Sequence, residues 1–340
     1  MEKTLRKYAE RIERNEVDPH IRYDGKTSGL ILDPLREDIP LEVIGFGLYL
    51  LKDLYLTRET RDKEMVLVPQ EGSFEAEVNG KKFSGKRIGG PFASGPGRTN
   101  ASALYVPCDS QLKIRGTGEI AFFEAPAIKQ KEPFYFPSTE AKVLSRGAWI
   151  WRRDIVNLIS PNDASTNLVV GETYSPPGFW SGTPLHVHDK DDPKAGESDL
   201  EEIYYHRMNP VRKEGDQFGP YAVQLLFDGQ KMMKAFLIGD KSIFAIPGGS
   251  HPVVASPVAE LLYLWGLGGG GSELRMRDIP EFRYLKSFEE AFAKAQNLPS
   301  RLVSEETWKG FVSSLGFTED QQRLLKIMLK EQGLKIDAIS

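Results

Sequence analysis

Short β-prone runs separated by turn residues recur along most of this chain and constrain its fold more than any other feature. From about Gly29 to Ala127, strand-like segments alternate with glycines and prolines, and Asn79-Gly80 predicts a two-residue hairpin turn. The strand pattern resumes at Trp149, with a turn about every 8 to 12 residues. Two such blocks in succession predict an all-β protein built from two β-sandwiches or barrels.

Helical periodicity replaces the strand pattern at both ends of the 340-residue chain. Apolar residues recur at helical spacing in the first turns, and Pro19 is expected to close this segment. Near the other end, Thr318 and Gln321 predict a capping box at the start of a helix. The predicted divisions are a helical N-terminal extension at 1–28, a first β unit at 29–140, a second β unit at 141–284 and a helical C-terminal extension at 285–340.

Charge and composition exclude several classes of protein. The formal net charge of -4 argues against a nucleic-acid-binding protein, which normally carries a basic patch. No apolar run approaches the ~20 residues that would span a bilayer, and the N-terminus has no apolar signal-peptide core. Cys108 is the single cysteine, which excludes an internal disulfide and fits a reducing compartment. We therefore expect a soluble cytoplasmic protein that binds neither nucleic acid nor membrane.

Three of the five histidines lie in the stretch "TPLHVHDKDDPKAGESDLEEIYYHR". Alternate side chains of a strand share a face, so His186 and His188 are expected to point the same way. In the strand "LEEIYYHR" the same rule places Glu202, Tyr204 and His206 on one face. Glu201 then lies on the opposite face, and only one of the two adjacent glutamates can join a site with the histidines.

A further histidine follows a glycine-rich turn in "IPGGSHPVV", where His251 stands at the start of a predicted strand. Two histidines at i and i+2, one glutamate and this distant histidine make a mixed nitrogen and oxygen ligand set. Such a set suits Zn²⁺, Mn²⁺ or Fe²⁺ and leaves coordination positions for water or substrate. The alternative is that the histidines are ordinary polar residues beside a solvated acidic loop.

The segments "HVHDKDD...ESDLEEIYYHRMNP", "FAIPGGSHPVVASP" and "LLYLWGL" resemble the bicupin family of 5-deoxyglucuronate isomerase and 5-keto-4-deoxyuronate isomerase. The resemblance covers roughly residues 30 to 270. It implies two jelly-roll β-barrels, of which the first is metal-free and the second binds a metal. It implies that the metal ligands are His186, His188, Glu202 and His251, with Zn²⁺ as the expected metal and Mn²⁺ or Fe²⁺ as alternatives.

Two positions depart from the pattern of the isomerases of inositol breakdown. The family usually has a lysine between the two metal histidines, where this chain has Val187. It also tends to have an arginine after the glutamine of the following strand, where Leu225 follows Gln224 here. Both family residues are cations of the kind that could face a uronate carboxylate.

The resemblance implies a metal-dependent aldose-ketose isomerase of inositol or uronate catabolism. Its partner would be a small sugar acid or an oxidised inositol, and the chain could form a homo-oligomer. On the metal-facing strand, His206 and Tyr204 are the candidates for acid-base catalysis. Arg207 and Gln224 are the candidates for substrate binding.

Other functions remain open for the same pocket. A metal-dependent hydrolase could open a cyclic 1,3-diketone such as a diketo-inositol, and this neutral substrate would explain the loss of two cations. A dioxygenase could hold iron in a similar ligand set. A non-catalytic sugar-binding cupin would keep the fold without the chemistry.

Overall fold

The chain folds into a mostly β structure with helices near both ends, as described by a computed structural model. The structure describes residues 2–161, 164–210, 219–269, 274–298 and 302–337. Within these ranges, no helix is long and apolar enough to cross a membrane.

The first unit is a single eight-stranded sheet. The elements up to the end of this unit are α1 (Glu2–Glu13), β1 (His20–Arg22), β2 (Gly29–Leu32), β3 (Gly45–Lys52), β4 (Leu56–Glu59), β5 (Lys63–Val78), β6 (Lys81–Arg87), β7 (Ala103–Val106), β8 (Gln111–Pro126) and β9 (Phe134–Phe136). The strand order of the sheet is β2-β3-β8-β5-β7-β9, in which β4 pairs with β8 and β6 pairs with β5. The hairpin between β5 and β6 turns at Asn79 and Gly80, which both have positive φ, so the predicted two-residue turn is confirmed.

The second unit is built mainly from two sheets that face each other. Its elements are β10 (Leu144–Arg146), a 3-10 helix (Trp149–Trp151), β11 (Arg153–Ile159), β12 (Val169–Ser175), β13 (Trp180–Ser181), β14 (His186–Val187), β15 (Asp189–Asp192), β16 (Glu197–Asn209), β17 (Ala222–Phe227), β18 (Met233–Ile238), β19 (Ser242–Ile246), β20 (Val253–Ala255), β21 (Glu260–Gly269) and β22 (Arg277–Asp278). The larger sheet has the order β1-β19-β16-β21-β12-β11-β10, with β15 on β16, and the smaller has the order β13-β20-β17-β18. Tyr204 and Phe244 of the larger sheet pack with Leu226 and Val253 of the smaller sheet in one buried core.

The outer face of the larger sheet packs on the first unit. Tyr205 and Leu264 share a buried core with Phe46 and Phe123 of the first unit. The two sheets approach closely at Gly266, where a Cβ atom would lie 2.4 Å from the Phe123 ring. Because side chains of a strand alternate, β16 supplies one face to this interface and the other to the interior of the second unit.

Buried ion pairs also join the two units. Arg87 of the first unit and Glu172 of the second form a bidentate pair, with Nη2 and Oε2 2.8 Å apart, and both side chains are almost fully buried. The Tyr205 hydroxyl donates a hydrogen bond to Glu119 of the first unit at 2.7 Å. The interface between the two units therefore combines apolar packing with a buried ion pair and a buried hydrogen bond.

The N-terminal segment packs on the second unit. Helix α1 buries Tyr8 and Ile12 in the core of that unit, and it ends at Glu13 rather than at Pro19. Strand β1 then pairs with β19 at the edge of the larger sheet. The segment predicted as a helical extension therefore also contributes a strand.

The C-terminal unit, residues 284–295 and 302–337, is mainly helical and contains α2 (Tyr284–Ala295), β23 (Leu302–Ser304), α3 (Glu305–Ser313), α4 (Glu319–Glu331) and β24 (Lys335–Asp337), after a 3-10 turn at Pro280–Phe282. The predicted capping box of α4 is confirmed, since Thr318 and Gln321 bond each other's backbone N–H groups. Phe292, Trp308 and Leu325 form a buried cluster with Trp151, so this unit packs on the segment that leads into β11.

Candidate metal centre

Strand β16 separates two adjacent glutamates by its alternation. Glu202 points into the interior of the second unit, while Glu201 points toward the first unit. The Glu201 carboxylate accepts backbone N–H groups of Glu42, Val43 and Ile44, at 2.8 Å for Val43 and 3.3 Å for Ile44. Glu201 thus anchors a loop of the first unit and takes no part in the histidine cluster.

Glu202 lies among buried histidines. Its Oε2 is 2.9 Å from His251 Nε2 and 3.3 Å from His188 Nε2. One ligand atom from each of the three residues lies within 4.8 Å of the others, and all three side chains are buried. His188, Glu202 and His251 therefore form a triad that could hold a metal ion.

The imidazole rings are oriented by backbone carbonyls. Each of His186, His188 and His251 turns its Nδ1 toward a main-chain oxygen, which favours the tautomer protonated at Nδ1. In the neutral ring each Nε2 then carries the lone pair through which histidine ligates a metal, so a metal ion would have to displace the proton that His188 Nε2 shares with Glu202. The carbonyls are those of Pro184 for His186 at 3.0 Å, Leu200 for His188 at 2.8 Å and Gly249 for His251 at 2.7 Å.

His186 stands at the accessible side of the triad. Its ring centroid is 5.9 Å from that of His251, and its side chain is partly exposed where those of His188 and His251 are buried. The structure thus groups three of the four predicted ligands, and His186 lies beside this triad and lines the adjoining cavity.

The protonation states of the cluster are coupled through Glu202. Burial alone would raise the pKa of Glu202, but hydrogen bonds from His188 and His251 outweigh it and lower that pKa to about 2. Burial would lower the pKa of His188, but the Glu202 carboxylate raises it to about 9. Burial lowers the pKa of His186 to about 4, so its ring stays neutral. An anionic carboxylate among imidazoles is a donor set that suits a divalent cation.

A cavity of about 240 Å³ opens beside the cluster. His186, Glu202, Tyr204 and Tyr263 contribute polar atoms to its wall. Its apolar wall is formed by Leu144, Ile155, Trp265, Leu274 and Met276. The volume is slightly below the ~300 Å³ at which drug-sized sites begin, so it suits a small metabolite.

Tyr204 is the nearest hydroxyl-bearing neighbour of the cluster on β16. Its ring centroid is 5.7 Å from that of His251 and 4.4 Å from that of Tyr263. The Tyr263 hydroxyl shares a hydrogen bond with Ser181 Oγ at 2.6 Å. Burial and the nearby Glu202 charge raise the pKa of Tyr204 well above its ordinary value, so its hydroxyl keeps its proton.

The structure does not bring His206 to the cavity. His206 lies four residues beyond Glu202, roughly 13 Å along an extended strand, and Tyr204 intervenes. Its side chain is fully buried, and burial lowers its pKa to about 3. His206 is thus a buried core histidine whose Nδ1 lies 3.2 Å from the Ser242 carbonyl, and its role in acid-base catalysis stays a prediction.

Arg207 and Gln224 also lie outside the cavity wall. Arg207 faces the first unit, where its Nη1 lies 3.7 Å from Glu119, and its Nε donates to Asp240 of the second unit at 3.1 Å. The alternation of β16 turns Arg207 away from the cavity that Glu202 and Tyr204 line, so substrate binding by Arg207 stays a prediction. Gln224 donates to the His251 carbonyl at 2.6 Å, so it supports the turn that carries His251 instead of facing a ligand.

The two departures from the family pattern do not face the cavity either. Val187 is buried between the two histidines, in the strand that pairs with β22. Leu225 lies on the opposite face of β17 from the buried Gln224. Neither residue belongs to the cavity wall. A change of charge at these positions therefore leaves the cavity lining unaltered.

The cavity contains two cations that sequence reasoning missed. Arg146 of β10 and Arg153 of β11 both line it. The alternation of "RRDIVN" could have placed Arg153, Ile155 and Asn157 on one face. Nothing local to the sequence shows which face of β11 meets the cavity.

Comparison with known proteins agrees with this geometry. The model of the KduI/IolB family matches residues 22–285. The chain belongs to this family. A 5-deoxy-glucuronate isomerase of Geobacillus kaustophilus is 31% identical over 252 residues, which cover 72% of this chain and 86% of the relative. A second, from Geobacillus thermodenitrificans, is 28% identical over 250 residues, again 72% and 86% of the two chains.

Solved structures support the fold. An IolB-like protein from Salmonella typhimurium LT2 superimposes with a TM-score of 0.70 at 22% identity, covering 79% of this chain and all of that one. The oxalate decarboxylase of Bacillus subtilis, a protein with Mn(II) centres, superimposes with a TM-score of 0.51 at 11% identity, covering 85% and 80%. At these identities the likeness concerns the fold alone.

Proposed function

We propose that this protein is a metal-dependent aldose-ketose isomerase acting on a small sugar acid, as the names of its relatives indicate for them. The observation that supports the proposal most is the triad of His188, Glu202 and His251 beside an open cavity that Glu202 and His186 line. That arrangement occurs in a chain that belongs to the KduI/IolB family. The 5-deoxy-glucuronate of the relatives is the substrate to test first.

We assign both β units to jelly-roll barrels, so that the chain is a bicupin with boundaries near 29–140 and 141–284. The two facing sheets of the second unit support this assignment. The superposition on oxalate decarboxylase over most of both chains supports it as well. The metal site would then belong to the second barrel.

We assign His186, His188, Glu202 and His251 as the metal ligands. The fit rests on their chemistry, since three imidazoles present Nε2 and one carboxylate is anionic. His251 Nε2 is fully buried and makes no well-aligned hydrogen bond within the described residues, although Glu202 Oε2 lies 2.9 Å away. Zn²⁺ is our first assignment, and Mn²⁺ or Fe²⁺ accept the same donors.

When bound, a divalent metal would supply Lewis-acid polarisation of the substrate carbonyl. Tyr204 holds a proton on its hydroxyl, and its position beside His251 suits donation of that proton to a substrate oxygen. Tyr263 supports the Tyr204 ring, and its own hydroxyl is held by Ser181. Trp265 and Met276 on the apolar wall exclude water from the reacting carbons.

The charge of the cavity favours this reading over a hydrolase of a neutral diketone. A neutral substrate would explain why Val187 and Leu225 stand where the family has cations, but neither residue lines the cavity. Arg146 and Arg153 do line it, and positive charge favours an anionic substrate.

The test is conversion of 5-deoxyglucuronate by the full chain loaded with Zn²⁺ or Mn²⁺, followed by proton NMR. We expect isomerisation, and we expect Tyr204→Phe to lower kcat by about 10²- to 10⁴-fold with unchanged metal content. Tyr205→Phe is the matched control, because that hydroxyl bonds Glu119 on the opposite face. Absence of isomerisation with either metal, or full kcat in Tyr204→Phe, would overturn the proposal.

A further inference from the structure

We infer that Arg146 and Arg153 together form a carboxylate-binding subsite in the cavity, an inference that rests on the proposed function of the same site. The two residues are direct cross-strand partners in the antiparallel pairing of β10 with β11. Both also line the cavity that contains His186 and Glu202. Two guanidinium groups are thus presented side by side to the space that a substrate would occupy.

Like charges directly opposite each other on neighbouring strands are unfavourable unless something compensates them. Neither Arg146 nor Arg153 has a carboxylate within 4.0 Å among the residues that the structure describes. Other arginines of this chain are compensated, since Arg87 pairs with Glu172 and Arg207 with Asp240. The Glu289 charge acts on Arg153 only from beyond that distance, so the pair can still take up an anionic ligand.

The guanidinium of Arg153 is held in place but not saturated. Its Nη1 donates to the Thr183 carbonyl at 2.6 Å and, more weakly, to the Trp151 carbonyl at 3.5 Å. Both bonds use Nη1. Among the described residues no other hydrogen bond of this guanidinium is seen, so its Nε and Nη2 remain available to a ligand. A planar carboxylate can accept two parallel hydrogen bonds from such a pair of donors.

The two arginines differ in depth. Arg153 is half-buried and its pKa is lowered by burial, whereas Arg146 lies on an exposed strand. Among the described residues, Arg146 makes only a long hydrogen bond of 3.4 Å, to the Ser145 carbonyl. Arg153 would therefore bind the carboxylate inside the cavity, and Arg146 would cover it from the mouth.

The C-terminal unit fixes the segment that leads to Arg153. The Trp151 indole donates to Glu289 at 2.8 Å, and its ring meets Phe292 edge-on with centroids 5.9 Å apart. Glu289 and Phe292 lie outside the matched family region, which ends at residue 285. This chain thus adds its own support to the backbone that positions Arg153.

The test measures binding of D-glucuronate and of its neutral isostere D-glucuronamide to the metal-loaded full chain by titration calorimetry. We expect the wild-type protein to prefer glucuronate, and Arg153→Gln and Arg146→Gln to weaken glucuronate binding by about tenfold or more. Glucuronamide binding should change less than about twofold. Arg152→Gln is the matched control, because Arg152 pairs with Asp154 instead of lining the cavity.

Thermal stability of the ligand-free variants provides a second readout. We expect Arg146→Gln to leave Tm unchanged or to raise it by about 1–2 °C, because it removes a like-charge repulsion. A residue with a structural role would lower Tm instead. Loss of both ligands to the same extent, unchanged glucuronate binding, or a fall in Tm for Arg146→Gln would overturn the subsite.

The inference and the proposed function can fail separately. Carboxylate preference that depends on both arginines, without isomerisation of 5-deoxyglucuronate, would keep the subsite and reject the function. Isomerisation whose KM is unchanged in both arginine variants would keep the function and reject the subsite.

Discussion

The adjacent glutamates of β16 allow the metal site to be tested with two chemically identical substitutions. Glu202→Gln removes the carboxylate that lies 2.9 Å from His251 Nε2 and 3.3 Å from His188 Nε2. Since disturbing a residue that merely supports a metal ligand costs about 10–100-fold in metal affinity, loss of a ligand should cost more than about 100-fold. Glu201→Gln changes the neighbouring residue, whose side chain is on the opposite face and should leave metal binding unaltered.

Glu201→Gln should lower the free energy of unfolding instead of the metal affinity. The Glu201 carboxylate accepts three backbone N–H groups, from Glu42, Val43 and Ile44. An amide in its place offers one oxygen and turns its NH₂ toward the other donors. One or two unsatisfied backbone groups at about 1–3 kcal/mol each predict a loss of about 1–6 kcal/mol in the free energy of unfolding.

The assay has two parts. Metal content after dialysis is measured by mass spectrometry, and the free energy of unfolding of the metal-free proteins is measured by urea titration. We expect metal loss in Glu202→Gln alone, and in Glu201→Gln a loss of stability with unchanged metal content. Stoichiometric metal in Glu202→Gln, or equal metal loss in both variants, would refute the reasoning from alternation.

Three further predictions follow from buried contacts. Burial raises the pKa of Glu201 to about 7 in the folded protein, so the folded state holds the proton more tightly than the unfolded state. The protonated Glu201 carboxyl therefore contributes up to about 3 kcal/mol to the free energy of unfolding, a contribution that is complete below about pH 4.5 and is lost as the pH rises through about 7. Urea titrations of the wild type and of Glu201→Gln at several pH values should diverge in that window. Parallel curves for the two proteins would contradict this prediction. Arg87→Met should lower the free energy of unfolding by about 3–5 kcal/mol, because it leaves Glu172 buried and unpaired. The double variant Arg87→Met, Glu172→Leu should recover much of that loss when both proteins are unfolded in urea. Glu289→Ala removes the hydrogen bond from the Trp151 indole and should lower the free energy of unfolding by about 1 kcal/mol, which a shift of the urea midpoint would reveal and an unchanged midpoint would exclude.

Much of the local structure follows from the sequence. The Asn79-Gly80 hairpin and the Thr318 capping box need only a few neighbouring residues, so their signals are complete within the sequence. The separation of Glu201 from Glu202 is likewise a property of any extended strand. These features depend on backbone geometry that distant residues do not change.

The sequence could not show which residues share the cavity. Alternation placed His206 on the same face as Glu202, but the distance along the strand removes it from the site. Arg146 and Arg153 belong to strands whose pairing brings them side by side, and the intervening 3-10 turn gives no signal of that register. Pairing register between strands is set by packing, which a single strand does not encode.

The sequence by itself therefore determined the strand pattern, the two faces of β16 and the set of metal-ligand candidates, because these depend on side-chain type and period. The tertiary structure alone decided which face meets the first unit and which meets the cavity. It turned Val187 and Leu225 away from the cavity and brought two arginines into it. The physical reason is that a strand presents both faces equally until another sheet packs on one of them.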